Sequence, residues 1–119
     1  MDLRNAPLPI RSGNAADEGL LNRGWFLGPF LDAGHPNRTP NVEVKWGVHP
    51  AGATRAARGR SPWTTLSVLV EGRFRLQFET GDIVLARPGD YALWLPDVDH
   101  AWLAEEASTV LTVRWPRQA

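Results

Sequence analysis

An antiparallel all-β sandwich or barrel is the fold class this chain predicts, and three observations predict it. From residue 41 onward apolar and polar residues alternate with a period of two, which on a strand sends successive side chains to opposite faces. The alternating runs are separated by turn signals such as Thr80-Gly81, Pro88-Gly89-Asp90 and Pro96-Asp97. No stretch has the apolar spacing of an amphipathic helix, so seven or eight short strands are left to close on one another.

Residues 1 to 24 hold Pro7, Pro9, Gly13, Gly19 and Gly24 among scattered charges and read as an N-terminal arm, with residues 25–119 as the one domain. GWFLGPFLD, 24 to 32, reads as a short edge strand interrupted by Gly28 and Pro29, and the loop AGHPNRTPN follows, where His35 is expected in solvent. NVEVKWGV places Val42, Val44, Trp46 and Val48 on one face and Glu43, Lys45, Gly47 and His49 on the other. Two arrangements fit. Either the apolar face is core and His49 is a surface residue, or the polar face lines a pocket while the arm covers the apolar one. ATRAARGRSPW, with Arg55, Arg58 and Arg60, reads as a solvated loop. TTLSVLV and RFRLQF, joined by Glu71-Gly72, read as a hairpin with Phe74, Leu76 and Phe78 inward. DIVLA, YALWL, HAWL and STVLTVRW complete the strands, the last alternating Leu111, Val113 and Trp115 with Thr112 and Arg114.

The 119 residues suffice for one core. Thirteen basic side chains balance thirteen acidic ones, so no long-range field selects nucleic acid or an anionic membrane, and neither is an expected partner. The absence of cysteine excludes disulfides, thiolate nucleophiles and thiolate metal sites. No apolar run is long enough to span a bilayer, and the N-terminus lacks the apolar stretch of a secretion signal, so a cytoplasmic protein is expected.

PAGA (50 to 53), LVEGRFRLQF (69 to 78), the Gly-Asp of PGD (88 to 90) and a histidine near the next strand together resemble the cupin superfamily, over about residues 42 to 115. Gly89, Leu95 and His100 match the spacing of the second cupin motif, with leucine where the family usually has proline. VEVKWGVHPAG and GDYALWLPDVDHAW look like a group of small single-domain cupins often labelled signal peptidase I. That label is a misnomer for a chain with no serine and lysine in a recognisable dyad. The resemblance implies a small jelly-roll barrel, often a homodimer, with a pocket between two sheets; it names no reaction.

Metal-binding cupins usually carry two histidines and a glutamate in the first motif and one histidine in the second. Counting back from Gly72 by the family spacing puts Thr65 at the glutamate position and Arg58 and Arg60 at the two histidine positions, so only His100 remains. Arginine stays protonated and does not ligate a cation. No metal or other cofactor is expected; if Fe, Ni, Zn or Mn is bound, His49 and His100 are its ligands.

The family alignment turns His100 and Trp102 into the barrel. A neutral imidazole suits proton transfer, which makes His100 and His49 the catalytic candidates. Trp102, Trp46 and Trp94 are candidate walls for a flat or cationic ligand. Lys45, the one lysine among twelve arginines, and Arg55 are candidate anion anchors. The expected function is a small-molecule-binding cupin, an enzyme of isomerase, cyclase, lyase or decarboxylase type acting by acid/base chemistry. A metal-dependent dioxygenase-like cupin and a non-catalytic ligand-binding or sensor cupin are the alternatives.

Overall fold

The computed structural model describes residues 10–116. Its strands form two antiparallel sheets. One has five strands in the order β1 (Trp25–Leu27), β2 (Glu43–His49), β9 (Ser108–Pro116), β4 (Trp63–Glu71) and β7 (Tyr91–Trp94). The other has four: β3 (Thr54–Gly59), β8 (His100–Ala104), β5 (Phe74–Phe78) and β6 (Gly81–Leu85). Chain neighbours repeatedly land in opposite sheets, which is jelly-roll connectivity.

The period of two converts directly into a core. Along β5, Phe74, Leu76 and Phe78 are buried while Arg75 and Gln77 are less so. They meet Leu69, Leu85, Ala104 and Val110 from the neighbouring strands. Leu69, Leu76 and Leu85 are at most 2% exposed, and each contributes roughly 1.5–3 kcal/mol by leaving water.

Two local expectations need correction. β4 and β5 are not a hairpin: β4 pairs with β7 and β9, while β5 pairs with β6 and β8. Glu71-Gly72 is a corner from one sheet to the other. Gly72 has φ +98, and a Cβ there would run into the Ala107 carbonyl and the Ser108 hydroxyl. Ser108 Oγ accepts a hydrogen bond from Arg73 N at 3.0 Å and pins the corner. The true two-residue hairpin is β5–β6, where Phe78 pairs with Gly81 across Glu79-Thr80.

The stretch expected to be a solvated loop holds β3, which covers the edge of β8 through Thr54↔Leu103, Arg55↔Trp102 and Gly59↔His100. The side chains of residues 56–58, Arg58 among them, lie outside the described ones. The segment read as an arm also carries structure, although residues 1–9 lie outside the description. A helical turn, α1 (Ala15–Glu18), is capped by Asn14, whose side chain accepts from Asp17 N at 3.0 Å. A 3-10 turn follows at Leu20–Asn22, and Trp46 N donates to the Gly24 carbonyl at 2.8 Å, tying this segment to β2.

That attachment goes with the face of β2. Its polar side, Glu43, Lys45, Gly47 and His49, points between the sheets, and Val44, Trp46 and Val48 point outward. The whole five-stranded sheet follows this pattern. Thr65, Ser67, Thr112 and Arg114 are inside, whereas the cross-strand rows Val44–Val113–Leu66–Leu93 and Trp46–Leu111–Val68–Tyr91 are outside.

Candidate functional site

A cavity of about 220 Å³ opens between the sheets. It falls below the roughly 300–1,000 Å³ of pockets that hold drug-sized ligands, so it suits a small molecule. Its floor is the polar side of the five-stranded sheet, and its roof is the aromatic side of the four-stranded one.

Two imidazoles enter it, each in its own aromatic nest. His49 lies with its ring centroid 4.5 Å from Trp102 and 5.2 Å from Phe74, and those two stack at 5.3 Å. His100 lies 5.0 Å from Trp94 and 6.5 Å from Phe78. Gly47 makes the first nest possible, because a Cβ there would stand 2.8 Å from His49 Nε2.

Burial, helped by the Lys45 charge, pushes the His49 imidazole down to about 4. Burial also lowers His100; the Arg55 charge acts the same way, while the Val98 and Gly59 carbonyls and Asp99 oppose it. Those carbonyls do not complete a hydrogen bond to Nδ1, which is buried without a partner. Both rings are therefore neutral near pH 7, the form that accepts a proton.

The His49 shift has a consequence for stability. Its folded value lies below the ordinary value near 6.5. Between pH 6.5 and 4 the unfolded chain therefore binds more protons, and stability falls as pH drops through that window. Thermal melts of the wild type are expected to show this loss, and His49→Gln is expected to lose less over the same range.

Lys45 also lies on the floor. Burial lowers its amine first, and the charges of Arg114, Arg55 and Arg23 lower it further. Its Nζ stands 5.7 Å from the Trp25 ring centroid, and the Arg114 guanidinium 4.1 Å from the same ring. Arg114 donates to Glu43 at 2.5 Å, which explains how a carboxylate only 8% exposed is tolerated. Arg55 lies against Gly59, beside His100.

The cavity thus brings together His49, His100, Trp94, Trp102, Lys45 and Arg55. It does not include Trp46. The odd residues of β2 face inward, so Trp46 is turned outward under the N-terminal segment, and the indole expected from it comes from Trp25 instead. Thr65, Ser67, Thr112 and Arg114 are wall residues that residue-type reasoning passed over. The outward counterparts Leu111 and Val113 look more like core than they do. A signal existed only for Thr65, through its place in the motif count.

Among the described residues three buried polar atoms have no hydrogen-bond partner: Thr65 Oγ1, His100 Nδ1 and Arg114 Nε. All three belong to side chains that line this cavity. An unmet buried donor or acceptor costs about 1–3 kcal/mol.

The donor set does not fit a divalent cation. Among the described residues no three His, Cys, Asp or Glu side chains gather around a point. The cavity is lined instead by Lys45, Arg55, Arg60 and Arg114, whose charges oppose a metal ion. Thr65 and Arg60 do line the cavity with His100, but a hydroxyl and a guanidinium replace the carboxylate and imidazole of a metal cupin.

No protein-family profile matches this sequence, and no curated protein does. Solved structures do match. A cupin-superfamily protein from Desulfitobacterium hafniense superposes with a TM-score of 0.62 at 16% identity, over 66% of this chain and 71% of that one. KdgF from Halomonas sp. gives 0.59 at 23% identity, over 67% and 74%. DMSP lyase DddQ from Ruegeria pomeroyi gives 0.60 at 18%, over 73% and 44%. Among the described residues no helix is long and apolar enough to cross a membrane. Two antiparallel sheets that face each other across a cavity, together with the superposition on these structures, give this chain a cupin-like fold, a jelly-roll β-barrel.

Proposed function

We propose that this protein is a small single-domain cupin enzyme of the cytoplasm that moves a proton on a small organic molecule without a metal. The observation that carries the reading is the pair of partly desolvated imidazoles, His49 and His100, brought into one cavity between the sheets, where burial lowers the pKa of each. His100 takes the proton from the substrate carbon or hydroxyl and, once protonated, returns it to another substrate atom, while the neutral His49 orients the substrate or serves as a second proton acceptor. Trp94 and Trp102 exclude water and hold the flat part of the ligand, while Lys45 and Arg55 face developing negative charge. Isomerisation, cyclisation, elimination and decarboxylation all use these parts. DMSP lyase DddQ, a fold neighbour, is named a lyase.

The signal peptidase label gains no support. Ser67 Oγ is engaged with Thr112 Oγ1 at 2.9 Å, and among the described contacts no serine hydroxyl is bonded to Lys45.

The test has two arms. Untagged protein is analysed for metals; stoichiometric iron, nickel, zinc or manganese that disappears in His100→Ala would sink the metal-free mechanism and favour dioxygenase-like chemistry. A ligand extracted from the same protein and identified by mass spectrometry is then incubated with fresh enzyme in heavy water. Deuterium incorporation or a new product supports an enzyme, and unchanged ligand that still binds favours a sensor.

We also propose a homodimer built on the outer face of the five-stranded sheet. The two rows named above carry no charge, and Leu93 and Tyr91 are 54% and 65% exposed there. Analytical ultracentrifugation is expected to give a dimer for the wild type and a monomer for Leu93→Glu. A wild-type monomer at tens of micromolar would discard this interface.

A further inference from the structure

We propose that the floor of the cavity is an oxoanion subsite, formed by Lys45, Arg114 and Thr65, so that the substrate is an anionic small molecule. This names a substrate class for the site just described and rests on the reading that the cavity binds a small molecule; it does not depend on proton transfer.

The chain as a whole is neutral, yet the cavity is not. Among the described residues lining it there are four cationic side chains and no carboxylate. Glu43 offsets Arg114 from beneath through their ion pair. Among the described residues Lys45 has no ion-pair partner, and the charges that lower its amine, those of Arg114, Arg55 and Arg23, are all cationic. A half-buried ammonium that is surrounded by like charges is costly unless an anion joins it.

The register puts the needed groups side by side. Arg114 pairs directly with Glu43 on β2 and with Thr65 on β4, and Lys45 follows Glu43 on the same face. Lys45 and Arg114 converge on one indole, Trp25. Thr65 is 3% exposed, and its hydroxyl and Arg114 Nε are both buried without partners. An oxygen anion placed among them meets an ammonium, a guanidinium N–H and a hydroxyl, the donor set that carboxylates and phosphates accept from. The aromatic roof of Trp102 and Phe74 faces this floor and takes the apolar remainder of the molecule.

Titration calorimetry of the purified full chain with benzoate, phenyl phosphate and the neutral isostere benzamide tests the subsite. Benzoate or phenyl phosphate is expected to bind, with the stronger of the two showing which oxoanion fits, and benzamide at least tenfold more weakly. Raising the salt concentration is expected to weaken the anions and leave benzamide unchanged. Lys45→Gln is expected to weaken anion binding at least tenfold, and Thr65→Val, which is nearly isosteric, about threefold or more. Thermal melts should show both variants folded, since Thr65→Val removes a hydroxyl that no protein group satisfies. Equal binding of benzamide and benzoate, no binding of either anion, or unchanged binding in folded Lys45→Gln would overturn the subsite. Failure of the heavy-water test with intact anion binding would discard the catalytic reading alone; the reverse result would discard the subsite alone.

Discussion

His100→Gln is expected to slow turnover of the extracted ligand by about 10²–10⁴-fold, the range that positioned acid–base groups supply, while ligand affinity changes little. Glutamine approximates the size of imidazole and keeps polar atoms in the nest beside Trp94 and Phe78, but it cannot take up a proton near neutrality. Binding by calorimetry and turnover by NMR separate the two effects. An unaffected rate would remove His100 from the mechanism and shift attention to His49. In the wild type the loss of rate with falling pH should begin below the ordinary histidine range, because burial lowers both rings.

Phe74→Ala is expected to be the most damaging single change to the fold. The ring is 3% exposed at the start of β5, and truncating a buried phenylalanine costs about 3–5 kcal/mol through lost transfer energy and the cavity left behind. A melting temperature lower by on the order of 10–20 °C follows for a domain of this length. The same ring supports His49 and Trp102, so the loss should reach the site. Phe74→Leu, which refills most of the volume, is expected to recover much of the stability but not the stacking against Trp102. Denaturant unfolding, together with near-UV circular dichroism of the tryptophans, reads both effects.

Much of this architecture was legible in the letters. The alternation along Phe74, Leu76 and Phe78, the turn at Pro88-Gly89-Asp90 and the spacing from Gly89 to His100 led to the strands and to the cupin-like barrel. What stayed hidden depends on which strands become neighbours. Glu71-Gly72 has the chemistry of a hairpin turn, and only the packing of Gly72 against Ala107 and Ser108 makes it a corner between sheets. The residues around Arg55 are too short and polar a run to announce a strand, yet the free edge of β8 gives them a ladder. Thr65 and Arg114 acquire meaning through their pairing across β4 and β9, a relation that local pattern does not encode. The face of β2 was undecided because both of its sides have a place to go.

That last point bears on how the chain finds its alignment during folding. In most sheets, sliding one strand by a single residue is prevented because it would drag oily side chains into water. In β2 such a slip would carry Val44 and Trp46 into the barrel and expel Lys45 and His49, a trade that hydrophobicity alone would welcome. The correct choice must then be enforced by partners with fixed addresses: Glu43 with Arg114 across to β9, and Trp46 N with the Gly24 carbonyl. These contacts act as a key that admits one alignment, and the chemistry of the cavity exists only because that key fits.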